Sequence, residues 1–215
     1  MTPPTKLHRY EGRSGIVNYD AKRCIHAAEC VRGLPAVFDP NAKPWINPDG
    51  ADAAALAAVV ARCPSGALTI ERPNGALGST PANNTATLTA NGPTYLHGDI
   101  ALVSADGAVL SEARMALCRC GASKNKPYCD GSHAAAAFLD PGRLPEASIQ
   151  GSTPSGGKLT ITPIPNGPVK CEGPLTITGS DGRVTATDKA FLCRCGASSN
   201  RPYCDGTHKK IGFAA

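Results

Sequence analysis

Short runs of alternating apolar and polar residues dominate the chain from about residue 85 onward. Four such runs predict β-strands, and they lie at residues 95–103, 109–117, 175–178 and 184–192. Asp-Gly dipeptides at 106–107 and 181–182 predict tight turns between the strands of each pair. A brief helical turn is expected from about Asp130 and again from about Asp205, because aspartate favours the start of a helix.

The first 72 residues follow a different pattern. A strand is predicted at residues 15–19 and an alanine-rich helix at residues 52–62. Pro, Gly, Ser and Asn are frequent at residues 73–84 and 140–157, which predicts two linkers. The chain is therefore expected to have an α+β fold with three domains, at residues 1–73, 85–139 and 160–215.

The two later domains are copies of each other. Residues 117–123 read Leu-Cys-Arg-Cys-Gly-Ala-Ser and recur at 192–198, and Pro-Tyr-Cys-Asp-Gly at 127–131 recurs at 202–206. Every matched position lies 75 residues further along the chain, as Cys118 and Cys193 show. A constant offset means that the loops have equal lengths, so both copies are expected to share one fold.

Composition narrows the possible classes of protein. Only 5% of the 215 residues are aromatic, so small cores would need a further source of stability, and ten cysteines are available to supply it. Residues 1–15 lack the apolar stretch of a secretory signal, and no run of about 18 apolar residues suggests a membrane span. We therefore expect a cytoplasmic protein whose reduced thiols bind metal. The net charge of +5 is scattered, which does not indicate binding to nucleic acid.

Each copy contains the spacing C-x-C-x8-C-x3-H. The candidate ligands of the two sites are Cys118, Cys120, Cys129 and His133, and Cys193, Cys195, Cys204 and His208. Residues two apart in a strand point to the same side, about 6.6 Å apart, and residues four apart on a helical turn share a face. The first two cysteines of each set can thus hold one iron, and the third cysteine and the histidine can hold a second.

Three other kinds of site compete with a two-iron cluster as interpretations of this spacing. A structural zinc site also uses Cys3His sets, but its first cysteines are usually separated by two to four residues. Disulfides would not require a histidine at the same place in both copies. A Rieske centre needs two histidines on one iron, and each copy supplies one. A [2Fe–2S] cluster in each copy is favoured, with zinc as the main alternative.

The motif around these ligands resembles that of a known family. Residues 129–133 spell CDGSH and residues 204–208 spell CDGTH, with serine and proline at the expected places in the preceding loops. Residues 85–139 and 160–215 are therefore similar to the CDGSH iron–sulfur domain family, to which mitoNEET belongs. The resemblance implies two small β-rich units, each with one redox-active, acid-labile [2Fe–2S] cluster. It also implies that they pack as an intramolecular pseudo-dimer, so that a monomer is expected.

The N-terminal region carries a second cysteine pattern. Cys24, Cys30 and the Cys63-Pro64 pair would suit a ferredoxin, although the usual C-x2-C-x2-C run would need a cysteine where Ala27 stands. Residues 10–72 resemble the divergent mono-cluster ferredoxin domain. The three cysteines are a candidate ligand set for a [3Fe–4S] cluster or for a [4Fe–4S] cluster with a fourth, non-cysteine ligand. His26 is a candidate for that fourth position, and three free cysteines in a small domain are the alternative.

For several other residues we expect a role other than binding a cluster. Cys171 replaces Leu96 of the first copy and is expected to be a small apolar residue. Phe138 and Phe213 are expected to shield the clusters or to pack in the core. Basic residues at 119, 126, 194 and 201 flank sites that would be anionic, so their charge is expected to influence the reduction potential.

One-electron transfer is the function expected from these features, with redox proteins as partners. The sequence contains no phosphate-binding loop, nucleophile elbow or spaced carboxylate pair, so no catalytic residue is predicted and the chain is not expected to be an enzyme. Storage of clusters and their delivery to apo-acceptor proteins is one alternative, because a histidine ligand can be protonated. A zinc-stabilised interaction module is the other.

Overall fold

The computed structural model describes residues 7–71, 81–146 and 156–215. The chain divides into two compact units, an N-terminal unit within residues 4–79 and a C-terminal unit that runs from residue 80 to residue 215. Residues 73–80 and 147–155 of the two predicted linkers lie outside the described residues. No helix among the described residues is long and apolar enough to cross a membrane.

The N-terminal unit is a small antiparallel sheet covered by helices. Its strands pair in chain order: β1 (Leu7–Gly12), β2 (Gly15–Asp20) and β3 (Leu68–Glu71). Its helices are α1 (Glu29–Gly33), α2 (Ala53–Ala61) and a 3-10 turn (Pro48–Gly50). The Asp52 side chain caps α2 by accepting hydrogen bonds from the amides of Ala54 and Ala55. The predicted strand at 15–19 and helix at 52–62 are confirmed, whereas β1, β3 and α1 were not predicted.

One core holds this unit together. Its apolar side chains come from the sheet, from α2 and from the loop between the two helices, and they include Val17, Phe38, Ile46, Leu56, Val60 and Leu68. Cys30 and Cys63 pack against the same cluster. The core therefore fixes two of the three candidate ligands of this unit.

The C-terminal unit repeats one order of elements twice. The first repeat has β4 (Thr85–Leu88), β5 (Thr94–Val103), β6 (Val109–Leu117) and α3 (Ser132–Ala135). The second has β7 (Leu159–Pro163), β8 (Val169–Thr178), β9 (Val184–Leu192) and α4 (Thr207–Lys210). The predicted strands at 95–103, 109–117 and 184–192 are confirmed. The strand predicted at 175–178 is wrong in its start, because a bulge between Glu172 and Leu175 lets β8 continue through Gly173 and Pro174.

The strands of the two repeats are hydrogen-bonded to each other. Strand β4 pairs antiparallel with β5 of its own repeat and parallel with β8 of the other. Strand β7 pairs antiparallel with β8 of its own repeat and parallel with β5 of the other. The first strand of each repeat thus joins the middle strands of both, and a single cluster of buried side chains from both repeats fills the interior.

The predicted linker that starts at residue 140 is wrong for its first residues. Asp140 and Leu144 are 5% and 2% exposed, and Leu144 belongs to the core of the C-terminal unit. The carbonyl oxygen of Gly142 accepts a hydrogen bond from the amide of Ser180 in the second repeat. Residues 140–144 are therefore packed structure that connects the two repeats.

Candidate metal centres

The first two candidate ligands of each repeat lie directly after a strand. Cys118 and Cys120 follow β6, and their Sγ atoms are 3.7 Å apart. Cys193 and Cys195 follow β9 with the same separation. Two thiolates bound tetrahedrally to one ion through bonds of about 2.3 Å would be about 3.8 Å apart. Each pair is therefore already spaced to hold one metal ion.

The other two candidate ligands of each repeat form a second pair. The Sγ atom of Cys129 lies 3.3 Å from Nδ1 of His133, and Cys204 has the same distance to His208. Tetrahedral bonds of about 2.3 Å to sulfur and about 2.0–2.1 Å to nitrogen would separate these atoms by about 3.6 Å. His133 and His208 lie in helices α3 and α4, but Cys129 and Cys204 precede these helices, and the left-handed Gly131 and Gly206 stand between. The expectation that a single helical turn carries both ligands of each pair is therefore wrong.

A doubled-back loop brings the two pairs of each repeat together. In the first repeat, the Cys118 amide donates to the carbonyl oxygen of Pro127 at 2.9 Å, and the Cys129 amide donates to that of Ala116 at 2.7 Å. The Ser123 hydroxyl fastens the loop by donating to the carbonyl oxygen of Tyr128. The equivalent bonds of Cys193, Cys204 and Ser198 recur in the second repeat.

The four donors of each repeat are arranged as two pairs rather than as one group. Among the described residues, no three His, Cys, Asp or Glu side chains are close enough to surround a single ion. A structural zinc ion takes four donors around one point, whereas a two-iron cluster takes two protein ligands on each iron. The pairs fit the two-iron arrangement.

Backbone amides point at the ligand sulfurs. The amide of Ala122 donates to Cys120 Sγ and that of Gly131 to Cys129 Sγ, both at 3.4 Å. Gly206 donates to Cys204 in the same way. Such bonds stabilise negative charge on sulfur and thereby affect the potential of a bound cluster.

Gly121 and its counterpart Gly196 have a different role. Both have positive φ, at 79° and 81°. A Cβ atom on Gly121 would lie 2.5 Å from the carbonyl oxygen of Cys195, and one on Gly196 would lie 2.6 Å from that of Cys120. The ligand loops of the two repeats therefore touch backbone to backbone, and only glycine leaves room for the contact.

Thiol acidity differs within the first pair. The hydrogen bond between the Cys118 and Cys120 side chains lowers the pKa of Cys120 to about 6 and, together with burial, raises the pKa of Cys118. Burial also raises the pKa of Cys129. Burial favours the protonated thiols, whereas metal ions bind thiolates. Metal binding must therefore release the thiol protons.

Two arginines next to the ligands are buried rather than solvated. Arg119 and Arg194 are each 4% exposed. Arg119 donates to the carbonyl oxygen of Gly92 at 2.8 Å and to the Asp140 carboxylate at 2.8 Å. Arg201 of the second repeat also donates to Asp140, so this carboxylate joins the repeats. Asp140 lies in a predicted linker, and no local pattern marks it as a partner of these arginines.

The core role predicted for the two phenylalanines is wrong, whereas their shielding of the clusters stays a prediction. Phe138 and Phe213 are half-buried, and each ring lies against the guanidinium group of the arginine in its own repeat, at 5.5 Å and 5.6 Å. They thus pack on Arg119 and Arg194, a contact that stabilises the cation. Cys171 is 1% exposed, and burial raises its pKa to about 12, in agreement with the prediction of an apolar role.

The three cysteines of the N-terminal unit line one small cavity. Cys24, Cys30 and Cys63 share its wall with Tyr19 and His26, among others. Burial raises the pKa of Cys30, and burial followed by a hydrogen bond with Cys24 raises the pKa of Tyr19. A cavity with three thiols is chemically suited to an iron–sulfur cluster, and the structure places His26 beside it as a possible additional donor.

Comparisons with known proteins cover both units. The family model described as "Divergent 4Fe-4S mono-cluster" matches residues 10–73. The model described as "Iron-binding zinc finger CDGSH type" matches twice, at residues 91–134 and 166–209. The uncharacterized protein YjdI of Escherichia coli K12 is 42% identical over 59 residues, which make up 27% of this chain and 78% of that protein. YjdI of Escherichia coli O157:H7 matches equally well.

Proposed function

Because this chain belongs to the CDGSH iron–sulfur family, in the tandem form and with a divergent mono-cluster domain before the repeats, we propose that it carries several clusters and acts in one-electron transfer. In this proposal each repeat holds one [2Fe–2S] cluster on three cysteines and one histidine. Support comes from the spacing of the ligand pairs. In both repeats the Sγ atoms of the first two cysteines are 3.7 Å apart, and Sγ of the third cysteine is 3.3 Å from Nδ1 of the histidine. Such clusters supply one-electron redox chemistry when bound.

The proposal includes an intramolecular pseudo-dimer of the two repeats. Support comes from the reciprocal strand pairs, in which β4 joins β8 and β7 joins β5. The buried ion pairs of Asp140 with Arg119 and Arg201 also connect the repeats. A pair completed within one chain needs no second copy, so we propose that the protein is a monomer.

A third cluster is proposed for the N-terminal unit. Cys24, Cys30 and Cys63 would hold a [3Fe–4S] cluster, or a [4Fe–4S] cluster with a further ligand. Support comes from the cavity that these side chains share and from the match of residues 10–73 to a mono-cluster family. His26 lines this cavity and is the proposed further ligand.

One observation favours electron transfer above the other functions. Gly121 packs on the backbone of Cys195, and Gly196 packs on that of Cys120, so the ligand loops of the two repeats are in direct contact. Redox centres held this close can exchange electrons without a mobile carrier. We propose redox proteins as partners, and the cytoplasm as the location because all ten cysteines are free thiols. No catalytic activity of its own is proposed.

Cluster delivery to apo-acceptor proteins is the second candidate function. It is favoured by the half-buried positions of His133 and His208, which leave one ligand of each site within reach of solvent. A zinc-stabilised interaction module is the third, and it would give a colourless protein without acid-labile sulfide.

The test begins with anaerobic purification, followed by iron and sulfide analysis and EPR of the reduced protein. Red-brown protein with two [2Fe–2S] signals that accept and return electrons reversibly would support the proposal. Cys63→Ala should remove only the N-terminal signal. Stoichiometric zinc without sulfide would refute it, and rapid loss of clusters to an apo-ferredoxin, with no reversible redox cycle, would favour delivery.

A further inference from the structure

The two CDGSH centres have the same ligand geometry but different surfaces around them. In α4, Lys209 and Lys210 directly follow the candidate ligand His208, and both are exposed. The matched residues of the first repeat are Ala134 and Ala135, which are also exposed. The surface next to the second centre therefore carries two positive charges that the first lacks.

The second centre is also more accessible. Cys129 is 2% exposed, whereas its counterpart Cys204 is only half-buried. An open groove reaches Cys204 itself, and its wall includes Thr187, Lys189 and Phe191 of β9. A molecule that occupies this groove would contact a ligand of the second centre directly.

Substitutions along the strands explain why the groove lies in the second repeat. In the first repeat, Glu112 of β6 accepts a hydrogen bond of 2.9 Å from the hydroxyl of Tyr128. The position matched to Glu112 is Thr187, which is shorter and uncharged. The position matched to the buried Ala116 is Phe191, which is 39% exposed. The second repeat thus has an apolar side chain at its surface and lacks the carboxylate.

A third lysine lines the groove that reaches Cys204. Lys189 lies 3.7 Å from Glu172 and 5.8 Å from the centroid of the Phe191 ring, and its side chain is 60% exposed. In the described parts of the chain, no carboxylate lies within ion-pair distance of Lys209 or Lys210. We call Lys189, Lys209 and Lys210, together with Phe191, the basic face.

We propose that electrons enter and leave the C-terminal unit at the second centre, where the basic face docks the acidic surface of a redox partner protein. This inference rests on the electron-transfer function proposed above. The transfer moves one electron between the chain and a one-electron carrier of the partner, such as a flavin or an iron–sulfur cluster, without making or breaking a bond. Opposite charges accelerate such encounters and orient them, and electron-transfer interfaces are typically small.

The experiment uses the full-length, cluster-loaded protein and two probes. Fluorescein-labelled decaglutamate, an acidic peptide, measures docking by fluorescence anisotropy at low and high salt. Stopped-flow reoxidation of the reduced protein by ferricyanide, an anion, is compared with reoxidation by hexaammineruthenium(III), a cation. The main variant is Lys209→Ala with Lys210→Ala, which gives α4 the residues found in α3.

Two control variants separate local from general charge effects. Lys22→Ala with Lys43→Ala removes the same charge from exposed positions of the N-terminal unit. Adding Ala134→Lys and Ala135→Lys to the main variant restores the net charge but puts it beside the first centre. We expect the main variant to bind the peptide about threefold to tenfold more weakly at low salt, and to react more slowly with ferricyanide only.

The outcomes decide the inference separately from the proposed function. If the main variant and the Lys22/Lys43 control showed equal peptide affinity and equal ferricyanide rates, docking at the basic face would be refuted. The proposed electron-transfer function would be unaffected by that result. Full recovery of the ferricyanide rate when lysines are placed beside the first centre would overturn the assignment to the second centre. If neither oxidant reoxidised the reduced wild-type protein, electron transfer itself would be refuted, whatever the peptide binding showed.

Discussion

Asp140→Ala tests whether a buried ion pair stabilises the joined repeats. The Asp140 carboxylate is 5% exposed and accepts hydrogen bonds from Arg119 at 2.8 Å, from the Gly142 amide at 2.7 Å and from Arg201. Its removal leaves Arg119, which is 4% exposed, buried without its counter-charge. Breaking one side of a buried pair typically costs about 3–5 kcal/mol. We expect a loss of that size in the unfolding free energy of the C-terminal unit.

The pH dependence of this effect has a defined sign. Burial by itself would raise the pKa of Asp140, but hydrogen bonds from Arg201 and the charge of Arg119 outweigh it and hold the pKa below its usual value. A carboxyl group with a lowered folded-state pKa stabilises the fold fully above its unfolded value of about 3.9 and loses the effect as the pH falls below it. The difference between wild type and Asp140→Ala should therefore be constant above about pH 5 and should shrink in stronger acid.

Guanidinium denaturation of the cluster-loaded protein measures the effect, with far-UV circular dichroism for the fold and visible absorbance for the clusters. Asp99→Ala is the matched control, because Asp99 also pairs across the repeats, at 2.6 Å from Lys158, but with side chains that are 35% and 55% exposed. An exposed pair contributes about 0–1 kcal/mol. Equal losses from the two variants would refute the reasoning that burial makes the Asp140 network strong.

Three further predictions concern the ligand sets. Cys118→Ser should remove about half of the [2Fe–2S] EPR intensity, because each repeat has its own ligands; loss of the whole signal would show that the centres are not separable. Cys171→Ser should leave the iron content unchanged, and a decrease would mean that the ligand assignment is wrong. Changing both His133 and His208 to Cys should lower the midpoint potential in protein-film voltammetry, since two thiolates add negative charge. An unchanged potential would argue against iron ligation by either histidine.

Local patterns allowed much of the candidate site to be predicted. Cys118 and Cys120 are two residues apart directly after a strand, so backbone geometry brings this pair together. Cys129 and His133 also meet, but through a loop with a left-handed Gly131 rather than through the predicted single helical turn. The exact 75-residue offset then predicted the same arrangement around His208. These inferences needed no knowledge of how distant parts of the chain meet.

The strands that join the repeats were missed for a physical reason. Strands β4 and β7 have only four and five residues, too few for a clear alternation of apolar and polar positions. Their place in the fold depends also on partners in the other repeat, which lie 91 positions away for Thr85 and Thr176 and 59 positions away for Leu159 and Ile100. Pairing over such distances is decided by the whole sheet, and a short window of sequence does not contain that information.

The misassigned linker shows how polar composition can conceal packed structure. Strand β7 lies parallel to β5 of the first repeat, and the chain between β6 and β7 crosses from the first repeat to the second. Residues 140–144 belong to that crossing, where Asp140 neutralises two arginines and Leu144 enters the core. Proline and glycine are frequent there because the chain turns sharply, which is also their role in flexible linkers. Composition alone does not separate these cases, whereas the buried charge of Arg119 requires a counter-charge, which Asp140 of this segment supplies.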